Sequence, residues 1–216
     1  MVFKRRDPRS WPQAIGQFIY PRGGWNRAFY YIIHRLRRLP DPPHRIARGV
    51  AAGVFVCFTP MFGFHFVLAA MLAYVMQANL LAALLATFFG NPITFPIIAA
   101  VSLELGQRML GMPGDVFLPQ VFAEFSRASV EAWHNFTAIF TDDVTRWNRL
   151  QEFFWRVFWP YTVGGLIPGV ITGVSVYMLT LPAVTAYQKR RVKKLKERFE
   201  KRRHALEKAE AARKSS

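Results

Sequence analysis

The most constraining feature of this sequence is a stretch of 59 residues, 49–107, in which Glu104 is the only formally charged side chain. A soluble domain needs charged and polar side chains on its surface, and this stretch supplies almost none. Long uncharged runs of this kind are instead typical of segments that cross a lipid bilayer. The stretch therefore excludes an ordinary water-soluble enzyme and predicts an all-α, polytopic integral membrane protein.

The basic residues are concentrated at the two ends of the chain. Of the 29 Lys and Arg residues, 11 lie in residues 1–48 and 13 lie in residues 189–216. Cytoplasmic segments beside membrane helices carry such an excess, and they attract anionic lipids of the bilayer. We therefore expect both termini in the cytoplasm and anionic lipids at the basic ends. Nucleic acid is not an expected partner, because it needs a basic patch on a soluble face.

Two breaks rich in proline and glycine divide the apolar region into three segments. The breaks are residues 59–63 (TPMFG) and 90–96 (GNPITFP), and the segments are 43–58, 64–90 and 95–110. A helix of about 16 residues reaches ~24 Å, which is less than the ~30 Å apolar core of a bilayer. The outer segments are therefore predicted to be broken or re-entrant, whereas the middle segment is long enough to span.

Four further segments flank this core. Residues 1–42 form a basic arm with a predicted amphipathic interfacial helix at 24–39, where apolar residues recur at helical spacing. Residues 112–159 are rich in aromatics and expected outside the cytoplasm, either at the headgroup level or as a small helical hairpin with an aromatic core. Residues 160–187 are uncharged and long enough to span, and 188–216 are predicted to form a basic cytoplasmic helix.

The number of crossings follows from the two basic ends. Ends on the same side of the membrane require an even number of crossings. Three crossings before residue 112 and one after it give four, which is the topology we expect. A topology with two crossings, in which a re-entrant hairpin replaces two spans, obeys the same rule and stays open.

Several short patterns in the core also point to a known family. They are Ile46-Ala47-x-Gly49, the run GVFVCFTPMFGFH from Gly53 to His65, Asn79, Asn91-Pro92-Ile93-Thr94-x-Pro96 and Glu104-Leu105-Gly106. In this ordered combination, residues 43–111 resemble DUF2062, a bacterial membrane domain of unknown function. The later glycine-rich helix with its basic tail is similar as well. The resemblance implies an α-helical protein of the bacterial inner membrane, and it implies no reaction, substrate or catalytic residue.

Nine residues at or near the breaks are candidates for a ligand site or a transport pathway. They are Pro60, Gly63, His65, Asn79, Asn91, Pro92, Thr94, Pro96 and Glu104. Interrupted helices in related positions often form the central site of transporters, because their free backbone groups can meet a substrate. The alternative is that both breaks are tight turns between helices.

Each of the polar candidates has both a functional and a structural interpretation. Glu104 is costly at membrane depth, which suggests function, although Arg108 four residues later can pair with it near a helix end. His65 can change its charge near neutral pH, or its ring can bond a carbonyl freed by the break. Asn91 or Thr94 can cap the following helix, whose N-terminus could then bind an anionic group.

Close helix packing is predicted in the last span. Gly165, Gly169 and Gly173 form two overlapping small-xxx-small spacings, which let helix backbones approach. Gln77 and Asn79 are expected to form hydrogen bonds between helices. The sequence contains no nucleophile motif, phosphate loop, dinucleotide fingerprint or paired metal ligands, so no catalytic residue, metal or cofactor is expected.

Two functions from different classes remain, and an enzyme acting on a membrane lipid is a weaker third. The first is a transport or lipid-handling module with a site between the two broken helices. It predicts that His65→Ala or Glu104→Gln abolishes activity in a folded protein. The second is a non-catalytic assembly or scaffold subunit of a larger membrane complex, which binds a membrane-protein partner or a second copy of itself.

Overall fold

A computed structural model describes residues 24–37, 39, 41–112, 114, 118–141 and 144–214. Every regular element in these ranges is helical, as the sequence predicts. The helices are α1 (Gly24–Arg37), α2 (Pro43–Val56), α3 (His65–Val75), α4 (Leu80–Ala86), α5 (Thr94–Met109), α6 (Leu118–Ala138), α7 (Asn148–Phe153) and α8 (Trp159–Lys214). A 3₁₀ turn, Thr87–Phe89, extends α4, and a π-helical turn, Phe154–Phe158, joins α7 to α8. The basic arm expected before residue 24 lies outside the described residues.

α2 and α3 form a hairpin whose two ends lie at one level. The backbone amide of Asn79 donates to the carbonyl of Arg45 (2.9 Å), and the Arg48 guanidinium donates to the carbonyl of Gln77 (3.3 Å). These contacts hold the end of α3 and the start of α4 beside the start of α2. The chain therefore returns, after the first break, to the side from which α2 begins.

α4 lies directly against α2 because two glycines leave room for it. A Cβ on Gly49 would come within 3.0 Å of the Asn79 carbonyl oxygen, and one on Gly53 would collide with the Ala83 carbonyl. Ala82 and Ala86 are buried on the facing side of α4. Small residues spaced four apart on both helices let the two backbones approach closely.

The segment 64–90 is not the single spanning helix that the sequence predicted. It divides into α3, α4 and the 3₁₀ turn, and the first division lies at Gln77, whose φ is 48°. Asn79 then caps α4, since its Oδ1 accepts a hydrogen bond from the amide of Ala82 (2.6 Å). A left-handed residue ends one helix and an Asn cap begins the next, so apolar character alone misplaced the boundary.

The described residues contain one helical stretch long and apolar enough to cross a bilayer, Asn148–His204. Leu80–Phe89 and Thr94–Met109 reach the required length only together, and the second break bends them by 85°. The structure therefore offers one candidate span, or two if the bent pair counts as one. The expected four-span topology is not confirmed.

α5 crosses the start of α8 at a point where both helices carry glycine. A Cβ on Gly106 would collide with the carbonyl oxygen of Pro160, and one on Gly164 would collide with the carbonyl oxygen of Ser102. The two backbones therefore touch, and this contact fixes α5 at the end of the bundle that carries the second break.

α6 and α7 form a helical hairpin beside this crossing. The rings of Phe125 and Phe153 pack edge to face with centroids 4.6 Å apart, and Val121 is buried near them. The Asn135 side chain holds the loop between the helices, because it accepts from the amide of Arg146 (3.0 Å) and donates to its carbonyl (2.5 Å). α6 thus packs mainly against α7, and its Val121 joins the buried cluster that includes Val157 and Tyr161.

α1 occupies the place of the amphipathic helix expected at 24–39. Its Leu36 packs against the buried cluster that includes Leu39 and Val184, whereas Tyr30 and Tyr31 are exposed. One face of α1 therefore contacts the helical core, close to the point where the basic part of α8 begins.

Candidate functional site

The two breaks meet at one place in the fold, which we call the junction. It comprises residues 57–65 and 87–96 together with Ser102, Phe125 and Tyr161. The ring of Phe62 lies at its centre, with ring centroids 5.2 Å from Phe95, 4.5 Å from Phe125, 6.1 Å from Tyr161 and 5.9 Å from His65. The structure thus brings the two breaks together around aromatic rings.

His65 is the first residue of α3, and its ring is buried in the junction. Its Nε2 lies 3.3 Å from the carbonyl oxygen of Thr59, and its ring centroid lies 5.3 Å from that of Phe95. A carbonyl only accepts hydrogen bonds, so Nε2 carries the hydrogen and donates it. Nδ1 has no hydrogen-bond partner in the described part of the chain, and it leaves one polar atom available at the junction.

The first break owes its shape to Gly63 and to a bonded threonine. Gly63 has a φ of 87°, which side-chain-bearing residues rarely adopt, and a Cβ there would meet nothing within 4 Å. Thr59 Oγ1 donates to the Val56 carbonyl (2.8 Å), and Pro60 beside it is buried. Gly63 therefore serves the backbone turn, and close packing does not require it.

The second break is closed by a reciprocal capping box. Asn91 Oδ1 accepts from the amides of Ile93 (2.9 Å) and Thr94 (3.0 Å), and Thr94 Oγ1 accepts from the amide of Asn91 (3.0 Å). Thr94 Oγ1 also donates to the carbonyl of Phe89 (2.5 Å). Pro92 occupies the first position of the turn, where its missing N–H costs nothing.

This capping box consumes the backbone donors at the start of α5. The amide of Phe95 bonds the carbonyl of Asn91 (2.8 Å), and the amides of Ile93 and Thr94 are already taken. Pro96, half-buried in the first turn, has no amide hydrogen to offer. An anion that approaches this helix start therefore finds no free backbone donor among these residues.

Two hydroxyls in the junction are completely buried and unpaired. Ser102 Oγ and Tyr161 OH have no hydrogen-bond partner in the described residues. Ser102 lies where α5 meets α8, since its Oγ would be 3.4 Å from a Cβ placed on Gly165, which follows Tyr161 by one turn of α8. An unpaired buried hydroxyl costs about 1–3 kcal/mol, so this polarity needs an explanation. The sequence did not single out either residue.

Cys57 closes the end of α2 against the 3₁₀ turn. Its thiol lies 3.3 Å from the carbonyls of Gly53 and Thr87, and its side chain is buried. The sequence has one cysteine. Its role here is structural, because the buried thiol packs between the end of α2 and the 3₁₀ turn at the edge of the junction.

Two of the predicted site residues lie outside the junction. Glu104 is exposed on α5, where its carboxylate pairs with the guanidinium of Arg108 at 2.7 Å. Asn79 lies at the far end of α4, where it caps that helix and its Nδ2 donates to the carboxylate of Asp41. The junction therefore brings together the other seven candidates, Pro60, Gly63, His65, Asn91, Pro92, Thr94 and Pro96.

The glycines predicted to pack in the last span face α2 at increasing distance. A Cβ on Gly165 would collide with the carbonyl oxygen of Phe58. The nearest atom to a Cβ on Gly169 would be Phe58 Cβ at 3.1 Å, and for Gly173 it would be the Ala51 oxygen at 3.4 Å. The contact between α8 and α2 is therefore tightest at the junction and becomes looser farther along α8.

A groove of about 730 Å³ lies at the opposite end of the bundle, where α8 passes the start of α2. Three lysines of α8, Lys189, Lys193 and Lys196, line it together with Pro43, and we call it the basic groove. Gln188, also in its lining, donates to the carbonyl of Asp41 (2.9 Å) and fixes α8 there. Within the described residues, no cluster of His, Cys, Asp and Glu could hold a metal ion.

Comparison with known proteins identifies the family and nothing more specific. The sequence profile of DUF2062, described as an uncharacterized protein conserved in bacteria, matches residues 26–193. Neither the comparison with curated proteins nor the comparison with solved structures returns a match. The match extends well beyond residues 43–111, on which the resemblance was first based, and covers most of the chain. The chain therefore belongs to the DUF2062 family.

Proposed function

We propose that this chain is a small lipid-handling module of the bacterial inner membrane, with its site at the junction. One observation carries the proposal: the junction contains polar atoms for which the fold supplies no partner. They are Tyr161 OH and Ser102 Oγ, both buried and unpaired among the described residues. Buried polar groups without protein partners are those that a water or a polar substrate group satisfies.

The surface of α8 supports the membrane location. Only 17% of its most apolar 18-residue window is buried within the protein, so most of these side chains are left at least partly exposed. A core helix of a soluble domain would be covered on most sides. We therefore propose that lipid covers this surface and that the basic residues at both ends of the chain face the cytoplasm and its anionic lipids.

The short helices favour a re-entrant arrangement. α2 has 14 residues and α3 has 11, so they reach about 21 Å and 16 Å, less than the ~30 Å apolar core. The tip of their hairpin exposes Met61, Phe64 and Phe66, which suit a lipid environment. In this proposal the α2–α3 hairpin enters and leaves the membrane on the same side. The bent pair α4–α5 crosses the membrane once and α8 crosses it once, so the chain returns to the cytoplasm.

Short segments of this kind make lipid handling the better choice over transport of a soluble substrate. A protein with short apolar helices thins the bilayer around it. Thinning shortens the apolar path of a phospholipid headgroup. We propose that this path passes the junction, where separation of α5 from α8 lets the unpaired hydroxyls of Tyr161 and Ser102 hydrogen-bond the headgroup. We propose that the chain assists the movement of phospholipids between leaflets along this path.

The test reconstitutes the full chain in phospholipid vesicles that contain a lipid with a fluorescent headgroup. Dithionite added outside bleaches only the outer leaflet, so further bleaching measures lipid movement. Tyr161→Phe and Ser102→Ala remove the hydroxyls with little change in volume, and Tyr74→Phe and Ser175→Ala make the same changes on exposed side chains. We expect the junction variants to slow the movement about tenfold, as the loss of one hydrogen bond to a charged group predicts. Equal rates in all variants, or no movement in the wild type, would overturn the proposal.

A second candidate function is an assembly subunit, and the surface of α6 favours it. Trp133, Phe136 and Phe140 are 68%, 52% and 76% exposed. The Phe136 ring stacks on Trp133 at 5.7 Å and packs edge to face with Phe140 at 5.6 Å, measured between ring centroids. Exposed aromatic clusters are typical of protein interfaces and of the headgroup region. Native mass spectrometry after gentle extraction shows whether this aromatic surface binds a protein partner. A protein partner at fixed stoichiometry that Trp133→Ser releases supports assembly, and its absence argues against it.

A further inference from the structure

The basic groove has the size, charge and position of a binding site. Its volume of about 730 Å³ falls in the range of pockets that hold organic ligands, roughly 300–1,000 Å³. Lys189, Lys193 and Lys196 recur at helical spacing along the same face of α8 and project into it. None of the three forms an ion pair with any residue that the structure describes. The three lysines outnumber the two glutamates that also line the groove, Glu197 and Glu200, so the groove has a net positive charge and favours an anionic occupant.

The groove begins where the uncharged part of α8 ends. The run 160–187 carries no charged side chain, and Lys189 is the first charged residue after it. If that run lies in the bilayer, the groove opens at the level of the lipid headgroups. Glu197 and Glu200 line its other end, farther along α8. The positive charge is therefore concentrated on the side nearer the membrane, and an anion would be drawn to that side.

The lining is also amphiphilic, which distinguishes a lipid from a free anion. Pro43, Thr185 and Val192 contribute carbon surface between the charged groups. A phospholipid can place its phosphate beside the lysines and its glycerol and upper acyl chain against this carbon surface. A free inorganic anion uses only the charges. The bond from Gln188 to the Asp41 carbonyl holds the two walls of the groove together before any ligand arrives.

We infer that the basic groove binds the headgroup of an anionic phospholipid from the cytoplasmic leaflet. The inference rests on the proposed function for its role, since it names the class of lipid that the module handles. Each lysine near the membrane surface adds to the attraction for anionic lipid. Together they predict a preference of at least about tenfold for phosphatidylglycerol over phosphatidylcholine.

The test titrates the detergent-purified full chain with phosphatidylglycerol or phosphatidylcholine and counts bound lipid by native mass spectrometry. The groove variant is Lys189→Gln, Lys193→Gln and Lys196→Gln. The matched control is Arg190→Gln, Arg191→Gln and Lys194→Gln, which removes the same charge at the same level from residues that do not line the groove. We expect one phosphatidylglycerol to bind tightly to the wild type and the control, and at least about tenfold more weakly to the groove variant.

Three outcomes would overturn the inference. The first is an equal loss of binding in the groove variant and the control variant, which would mean that the attraction is diffuse. The second is an absence of lipid preference in the wild type. The third is displacement of the lipid by inorganic phosphate. The result is separable from the test of the junction. Selective binding without lipid movement between leaflets would support the lipid site in the groove and overturn the proposed function. Lipid movement without selective binding would support the proposed function and overturn the lipid site in the groove.

Discussion

Replacement of Gly165 by alanine should open the contact between α8 and the end of α2. The added Cβ would fall well inside 3.0 Å of the Phe58 carbonyl oxygen, and a backbone atom cannot move aside as a side chain can. Overpacking of this kind costs about 1–3 kcal/mol. Gly173→Ala is the matched control, because its nearest atom would be the Ala51 oxygen at an ordinary 3.4 Å. Alanine also favours a helix over glycine by up to about 1 kcal/mol, so the control should be neutral or slightly stabilised.

Cys57 provides the assay, because it is the single cysteine of the chain and is buried beside Phe58. A maleimide that fluoresces on reaction labels this thiol only when the contact opens. Each 1.4 kcal/mol of destabilisation multiplies the open fraction about tenfold, so Gly165→Ala should label roughly 5 to 150 times faster than the wild type. Equal labelling rates in Gly165→Ala, Gly173→Ala and the wild type would refute the close approach of α8 and α2.

Three further substitutions test the local structure by the same labelling assay or by thermal unfolding in detergent. Asn91→Ala removes the capping box and should cost about 0.5–2 kcal/mol, and an unchanged midpoint would contradict the cap. Asn79→Asp keeps the cap acceptor but sets a carboxylate against Asp41, so it should destabilise more than Asn79→Ser, and the reverse order would disprove that contact. Glu104→Gln breaks an exposed pair with Arg108 and should change stability by less than about 0.5 kcal/mol. It should also leave lipid movement intact, and a loss of movement would return Glu104 to the site.

The sequence predicted the helical class and the two main breaks, because Pro and Gly within an apolar run usually mark the end of a helix or a turn. It did not predict the division of 64–90. Gln77 and Asn79 are polar residues in an apolar segment, and the sequence gives no sign that one is left-handed and the other a cap. It also overlooked the contact of Gly49 and Gly53 with α4, although the four-residue spacing was visible. Span length was overestimated because hydropathy does not show where a helix bends.

The candidate site was predicted in part. Local rules led to Asn91 and Thr94, since Asn and Thr around a proline are typical of a helix start, and the structure shows both in one capping box. Tyr161 and Ser102 could not be found in this way, because their burial and their lack of a partner depend on the crossing of α5 and α8. Glu104 was selected for its charge, yet that charge lies on the exposed face of its helix.

The most direct test of the junction as a lipid site measures lipid movement and stability together in Tyr161→Phe. The Tyr161 hydroxyl is buried without a partner in the described structure, so its removal should leave the folded state as stable as before, or more stable by up to about 1–3 kcal/mol. We predict that this variant labels at Cys57 no faster than the wild type and moves lipid about tenfold more slowly in the same vesicles. Lipid movement at the wild-type rate in this intact protein would contradict the account.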